Sequence, residues 1–322
     1  MRVGDGMLKS VCFIGWHNPA EDPSVWDHVE GTGWFTPLTP WHWTIVTARH
    51  VLDQVPVGSK VRVWVNLTTG LWPIDYEKDD WESHSDRTVD LALLLKAISV
   101  VKDRLDLDHV CLMKDGWVSE LQLNHPHHPI GIGDRVYFPG LFAHHFGKER
   151  LQPIIRQGIV ASMNREPILT ELDGQSTEID AYLVEVHSIG GLSGSPVIMR
   201  FGFDHLNPEA DDPSDTSNWP IFSDALFGVV HGHYDLTVPS GGGNQFDRLN
   251  TGICMVVPIK YVTELLNQTK VLATKEELEK SEPQRLVKEA SPDSVSATAD
   301  LLKEVLEVSK DDIDEVHKSH DQ

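Results

Sequence analysis

Hydrophobic positions along the chain fall into short runs that Gly, Pro, Asn and Asp separate. In the first half the runs are 11–16, 33–35, 43–46, 61–66 and 91–95. In the second they are 135–139, 154–163, 181–186, 197–199, 226–230 and 252–257. Many short apolar runs with turn residues between them predict an antiparallel sandwich or barrel. The polar stretch 114–129, with several His and Pro, reads as the connection between two halves. Pro258 stops the last strand, and Tyr261, Val262, Leu265 and Leu266 then recur at helical spacing, which predicts a helix over 259–268. Residues 270–294 are rich in Lys, Glu, Ser and Pro and read as a linker. A second helical pattern follows, with Leu301, Leu302, Val305, Leu306 and Val308. The organisation expected is therefore a first β unit at 1–115, a connection at 116–130, a second β unit with its terminal helix at 131–269, and a charged linker and short helical tail at 270–322.

Composition narrows the function classes. No stretch approaches the roughly 20 apolar residues that a membrane helix needs. The N-terminus lacks a long apolar core and a small-residue cleavage site, so no secretory signal is expected and a cytoplasmic location is. The three cysteines, Cys12, Cys111 and Cys254, are far apart and odd in number, which favours a reducing compartment over a disulfide framework. A net charge of −22 argues against non-specific binding to nucleic acid or to anionic lipid. Of the 17 histidines, the groups His125, His127, His128 and His144–His145 lack helical i, i+4 placement and neighbouring cysteines, so neither a metal nor another cofactor is expected. The acidic insertion 204–224 lacks the ligand pattern of a calcium loop. The insertion 236–250 contains Ser240-Gly241-Gly242-Gly243-Asn244 without the Gly-Lys-Ser/Thr ending of a phosphate loop. Both are candidate lids over a cleft.

Three segments carry chemistry. Thr44-Ile45-Val46-Thr47-Ala48-Arg49-His50 is a strand running into a turn that presents a histidine. Val89-Asp90-Leu91-Ala92-Leu93-Leu94-Leu95 places one acid at the head of an otherwise apolar strand. Gly190-Gly191-Leu192-Ser193-Gly194-Ser195-Pro196 sets a serine in a glycine-rich loop that feeds a buried strand. A serine hydroxyl is a poor nucleophile at neutral pH and needs a positioned base. Histidine has the right unperturbed pKa for that base, and a buried carboxylate holds its tautomer and stabilises its imidazolium. Glycines beside the serine let backbone N–H groups converge on one point, where they can bind a developing oxyanion. Gly191 and Ser193 are the candidates for those N–H groups.

Thr47-Ala48-Arg49-His50, Asp90-Leu91-Ala92-Leu93 and Gly191-Leu192-Ser193-Gly194-Ser195-Pro196 resemble the three signatures of the trypsin/chymotrypsin superfamily of serine peptidases. Gly131-Ile132-Gly133-Asp134-Arg135-Val136, Gln157-Gly158-Ile159-Val160-Ala161-Ser162 and Gly252-Ile253-Cys254-Met255-Val256-Val257-Pro258 are similar to its bacterial, HtrA-like branch. The resemblance covers about residues 10–268. It implies two six-stranded antiparallel β-barrels, with a C-terminal α-helix, and a triad of His50, Asp90 and Ser193 in the cleft between them. About 50 residues remain after 268, too few for the PDZ domain that usually follows in that branch. Leu192 stands where the superfamily's zymogens have an Asp, so activation by N-terminal cleavage is not expected.

The same resemblance puts a specificity pocket among His187, His231, His233 and Gly252. His187 stands where a trypsin-like preference for Arg or Lys would need an Asp. The pocket histidines either favour an acidic side chain or line the rim, with His231 packed near Asp90. The function expected is a serine endopeptidase acting on a peptide or protein substrate through an acyl-enzyme. The alternative is a partner-gated or inactive protease-fold binding or sensor module in a multi-protein system, with residues 295–318 as the segment for a protein partner.

Overall fold

The computed structural model describes residues 4–20, 28–99, 107–119, 123–124, 130–142, 145–163, 166–172, 175–186, 190–201, 223–239 and 246–289. The first half opens with a short helix α1 (Asp5–Lys9) and then builds one sheet. Its strands are β1 (Val11–His17), β2 (Val29–Thr39), β3 (His42–Thr47), β4 (Lys60–Leu67), β5 (Gly70–Tyr76), β6 (Trp81–Ser83), β7 (Ala92–Leu94) and β8 (Ile98–Ser99), with helix α2 (Arg49–Asp53) after β3. They pair in the order β5-β4-β1-β2-β3-β7-β6, with β8 also on β3. Side chains alternate across a strand, and β1 shows the result. Cys12 and Ile14 join the core of this half, with Phe35, Ile45, Val63 and Leu94. Phe13 points the other way and packs with Trp64, its register partner on β4, and with Leu141 and Leu151 from the second half. One strand thus feeds two cores.

This half differs from the six-stranded barrel expected. Among the described residues no ladder joins its end strands β5 and β6, and the sheet stays open. The two ends are nevertheless consecutive in the chain, linked by a 3₁₀ turn (Lys78–Asp80) that Glu77 and Asp80 close as a reciprocal capping box. Tyr76 and Trp81 on either side of the turn meet edge to face, 6.4 Å between ring centroids. The sheet thus curls until its two ends meet at this turn, without pairing. Strand β6 has three residues and β5 carries Pro73, which has no N–H to donate to a ladder.

The second half does close. Strands β9 (Arg135–Gly140), β10 (Ile154–Met163), β13 (Tyr182–Glu185), β14 (Pro196–Phe201), β15 (Ser223–Pro239) and β16 (Phe246–Pro258) form a barrel in the order β10-β13-β16-β15-β14-β9. A separate hairpin, β11 (Ile168–Leu172) and β12 (Gln175–Ile179), stands off it. Phe138, Val160, Val184, Val197, Phe227 and Val256 are fully buried. A side chain of this size contributes about 1.5–3 kcal/mol when removed from water. Helix α3 (Ile259–Leu266) follows the last strand directly and buries Ile259, Val262, Leu265 and Leu266. Lys260 and the Tyr261 hydroxyl both bond Asp180, at 2.6 and 2.8 Å.

By internal contacts the chain separates into a unit of Met1–Leu272 and a unit of Ala273–Gln322. Thr269–Glu289, read from its composition as linker, is a helix, α4. Lys and Glu are good helix formers, and here they pair at i, i+4 as Lys275–Glu279 and Glu276–Lys280. Residues 295–318 lie outside the described residues. Cys12 and Cys254 are buried and Cys111 is half-buried, all three as free thiols. Burial pushes the Cys254 thiol up to about 12 and raises Cys12 as well. Among the described residues no helix is long and apolar enough to cross a membrane.

Candidate active site

Strand β3 ends at Thr47, Ala48 stays extended, and α2 begins at once. Val51 and Leu52 are buried and pin the short helix. Arg49 is buried too, its guanidinium bonded to the Arg87 carbonyl at 2.9 Å and 3.4 Å from Asp53. His50 is left with its side chain 26% exposed.

Asp90 comes from the loop before β7 and is 1% exposed. Its Oδ1 accepts the His50 backbone N–H at 2.9 Å, and its Oδ2 lies 2.6 Å from His50 Nδ1. A buried carboxylate gripping both the backbone and the ring of one histidine fixes the ring's position. An ionised carboxylate only accepts, so Nδ1 carries a proton, and in the neutral ring the lone pair is on Nε2. Oδ2 has a second partner: His231 Nδ1, also at 2.6 Å. Burial alone would raise the Asp90 pKa, yet the two histidines outweigh it and hold the carboxyl well below the usual range. Burial likewise works to lower His50, but the charge and hydrogen bond of Asp90, helped by Asp53, raise it above its ordinary 6.5.

The loop that carries Ser193 is held by its main chain. The Thr32 N–H on β2 donates to the Ser193 carbonyl at 2.9 Å, and the Thr32 hydroxyl donates to the Gly191 carbonyl at 2.8 Å. That hydroxyl also accepts the Leu141 N–H at 2.9 Å. The Gly194 N–H bonds the Val230 carbonyl, and the Ser195 carbonyl accepts the Val230 N–H, both at 2.9 Å. Gly194 sits at φ +82°, where a Cβ would collide with the Thr32 carbonyl, the Thr47 hydroxyl and the Ala48 nitrogen. Ala48 lies two residues before His50, so the serine loop is wedged against the turn that presents the base. Gly191 has φ +103°, which glycine adopts freely. Ser195 is fully buried, its Oγ has no hydrogen-bond partner, and it faces Gly140, where any Cβ would strike it.

Thr32 escaped the sequence reading. The available signal was Gly31-Thr32-Gly33: glycines inside a strand mark close approach of another backbone. A Cβ at Gly31 would press on Val51 and on the Ser193 carbonyl.

Of the expected pocket residues, His187 lies outside the described residues. His231 is buried with its Nδ1 on Asp90, so that nitrogen is not available to a substrate. His233 is partly buried on β15 opposite Cys254. Gly252 has φ +76° with open space where a Cβ would stand, as at Gly232. Its carbonyl accepts the Val186 N–H at 2.8 Å.

Donor atoms of His50, Asp90 and His231 lie within 4.8 Å of one another, a spacing that could suit a metal ion. Both Nδ1–Oδ2 distances are hydrogen-bond lengths.

The architecture is a closed antiparallel barrel and an open antiparallel sheet, with a helix after the last strand. Of the two barrels that the resemblance implies, the structure closes one. Solved structures similar to this chain include three proteins. The MamO protease domain from Magnetospirillum magneticum, in its apo form, is 13% identical, with a TM-score of 0.46 over 82% of this chain and 98% of that one. The active form of the Rv3671c protease from M. tuberculosis is 17% identical, with a TM-score of 0.42 over 81% of each chain. Human heparin binding protein is 11% identical, with a TM-score of 0.39 over 83% of this chain and 96% of that one. At these values they bear on neither activity nor substrate. No protein-family model and no curated protein matches the chain.

Proposed function

We propose that the protein is a serine endopeptidase in which Ser193 attacks the scissile carbonyl, His50 accepts and returns the proton, and Asp90 orients His50. The observation that carries this reading is the double grip of Asp90 on His50, at 2.9 Å to the backbone N–H and 2.6 Å to Nδ1, beside the wedged serine loop. It leaves His50 Nε2 as the base, as the Ser-His-Asp mechanism requires. The N–H groups of Gly191 and Ser193 would hold the oxyanion. The loop supports this: the N–H groups of Gly194 and Ser195 are turned inward to Val230 and Leu192. Gly232 and Gly252 would flank the pocket for the substrate side chain before the cut bond. In this reading the curled sheet and the closed barrel play the parts of the superfamily's two barrels, with a peptide or protein chain in the cleft.

Labelling with a fluorophosphonate probe, wild type beside Ser193→Ala, tests the proposal. Labelling that disappears in the variant supports it. A folded wild type that takes no label overturns it and favours the partner-gated or binding module instead.

A further inference from the structure

Asp90 carries one hydrogen bond more than its grip on His50 needs. Two imidazoles share its Oδ2, each at 2.6 Å, their rings nearly edge-on with centroids 5.8 Å and planes 79° apart. The backbone places His231 there. The β15–β16 ladder passes from the pair Val230–Val256 to the pair Gly232–Met255 and skips His231, which is the extra residue of a bulge. Bulges re-aim side chains and recur beside active sites. Its neighbour Val230 holds the serine loop by both N–H and carbonyl. One imidazole therefore joins the acid of the first half to β15, the strand of the second half that holds the serine loop.

We propose that His231 is a positioning residue that holds Asp90 and competes with His50 for its single negative charge, so that a proton on His231 switches the base off. This rests on the reading of His50 as general base. With both rings neutral the buried trio carries one negative charge, and a proton on His50 neutralises it. With a proton already on His231 the trio is neutral, and protonating His50 would leave a positive charge with no partner in a largely closed site, which is strongly disfavoured. His50 is then a weak base. Among the described residues, the charged groups that act on the pair are few. Asp90 comes from the loop before β7, and α2 brings His50 with Arg49 and Asp53, which act on it in opposite directions. A hydroxyl or amide in place of His231 would hold Asp90 equally well without titrating.

The test is an NMR titration of the imidazoles in the full chain carrying Ser193→Ala, alone and with His231→Asn or His231→Leu. Asn keeps an amide donor for Oδ2, and Leu removes it. The parent should titrate in two coupled steps separated by more than about one pH unit beyond independent behaviour. His231→Asn should leave one simple step for His50. His231→Leu should raise that step by about one unit, since the whole Asp90 charge then acts on His50. A His50 curve identical in the parent and the folded Asn variant overturns the inference, even where the Leu variant fails to fold. Catalysis is not needed for this readout. Loss of coupling in a protein that labels at Ser193 sinks the role of His231 alone, whereas coupling in a protein that takes no label sinks the peptidase reading alone.

Discussion

On the His50 side of the cleft, side chains hold side chains: one carboxylate takes a backbone N–H and two imidazoles, and it is almost wholly shut from water. On the Ser193 side the main chain is what is held: the Thr32 N–H and hydroxyl and both polar groups of Val230 clamp a loop by its carbonyls and N–H groups, with glycines at 191 and 194. The first arrangement fixes where a charge sits. The second fixes a backbone shape, which is what an oxyanion site consists of. Substitutions on the first side should therefore act on proton transfer and its pH dependence, and those on the second on loop geometry and stability.

The largest effects test the chemistry on both sides. Ser193→Ala should lower peptide turnover by roughly 10⁵–10⁶ with little change in thermal midpoint. Asp90→Asn should cost about 10⁴ in kcat, because an amide stabilises the wrong tautomer of His50. Equal losses from the two would blur the contrast between the sides, and retention of turnover in Ser193→Ala would break it. Next comes Gly194→Ala. The added methyl meets backbone on two sides at a positive φ, so unfolding experiments should show a loss of about 3 kcal/mol or more. An unchanged midpoint would mean that the loop is not wedged.

Thr32→Val removes one hydroxyl that serves two partners, the Gly191 carbonyl and the Leu141 N–H. Stability should fall by about 1–3 kcal/mol as those groups lose their partner. Fluorophosphonate labelling should slow while the His50 titration stays in place, and a shifted titration would show that the two sides are not separable. The smallest effect is on pH. His50 must be neutral to accept a proton, and its pKa is raised above 6.5. The rate should therefore rise with pH through a midpoint above 6.5 and fall away below it. A midpoint below 6.5 would place burial, rather than Asp90, in control of His50.

The elements legible in the sequence were those with a clear apolar period: the strands of the barrel, β1 and β4, and the helix after Pro258. Strand β5 was missed because an edge strand has little to bury. Trp72 and Pro73 are exposed, and Tyr76 alone is buried. The β11–β12 hairpin was missed for the same reason: Leu169 is 59% exposed. The insertion expected at 236–250 is in part the continuation of β15 to Pro239 and of β16 from Phe246, whose pairing owes nothing to an apolar pattern. At the site, residue types and order pointed to His50, Asp90 and Ser193. Thr32 was not legible, since its role lies in bonds to residues about 160 positions away. The bulge that turns His231 onto Asp90 depends on strand register, which no local pattern encodes.

The buried thiols give the two halves separate reporters. Cys12 lies in the core of the curled sheet and Cys254 in the wall of the closed barrel, both shut from solvent. An alkylating reagent can reach either one only when its own half opens. With half-buried Cys111 replaced by serine, pulsed thiol labelling read by peptide mass would time those openings one against the other. The open sheet, with its end strands joined by a single turn, is the half expected to be modified first.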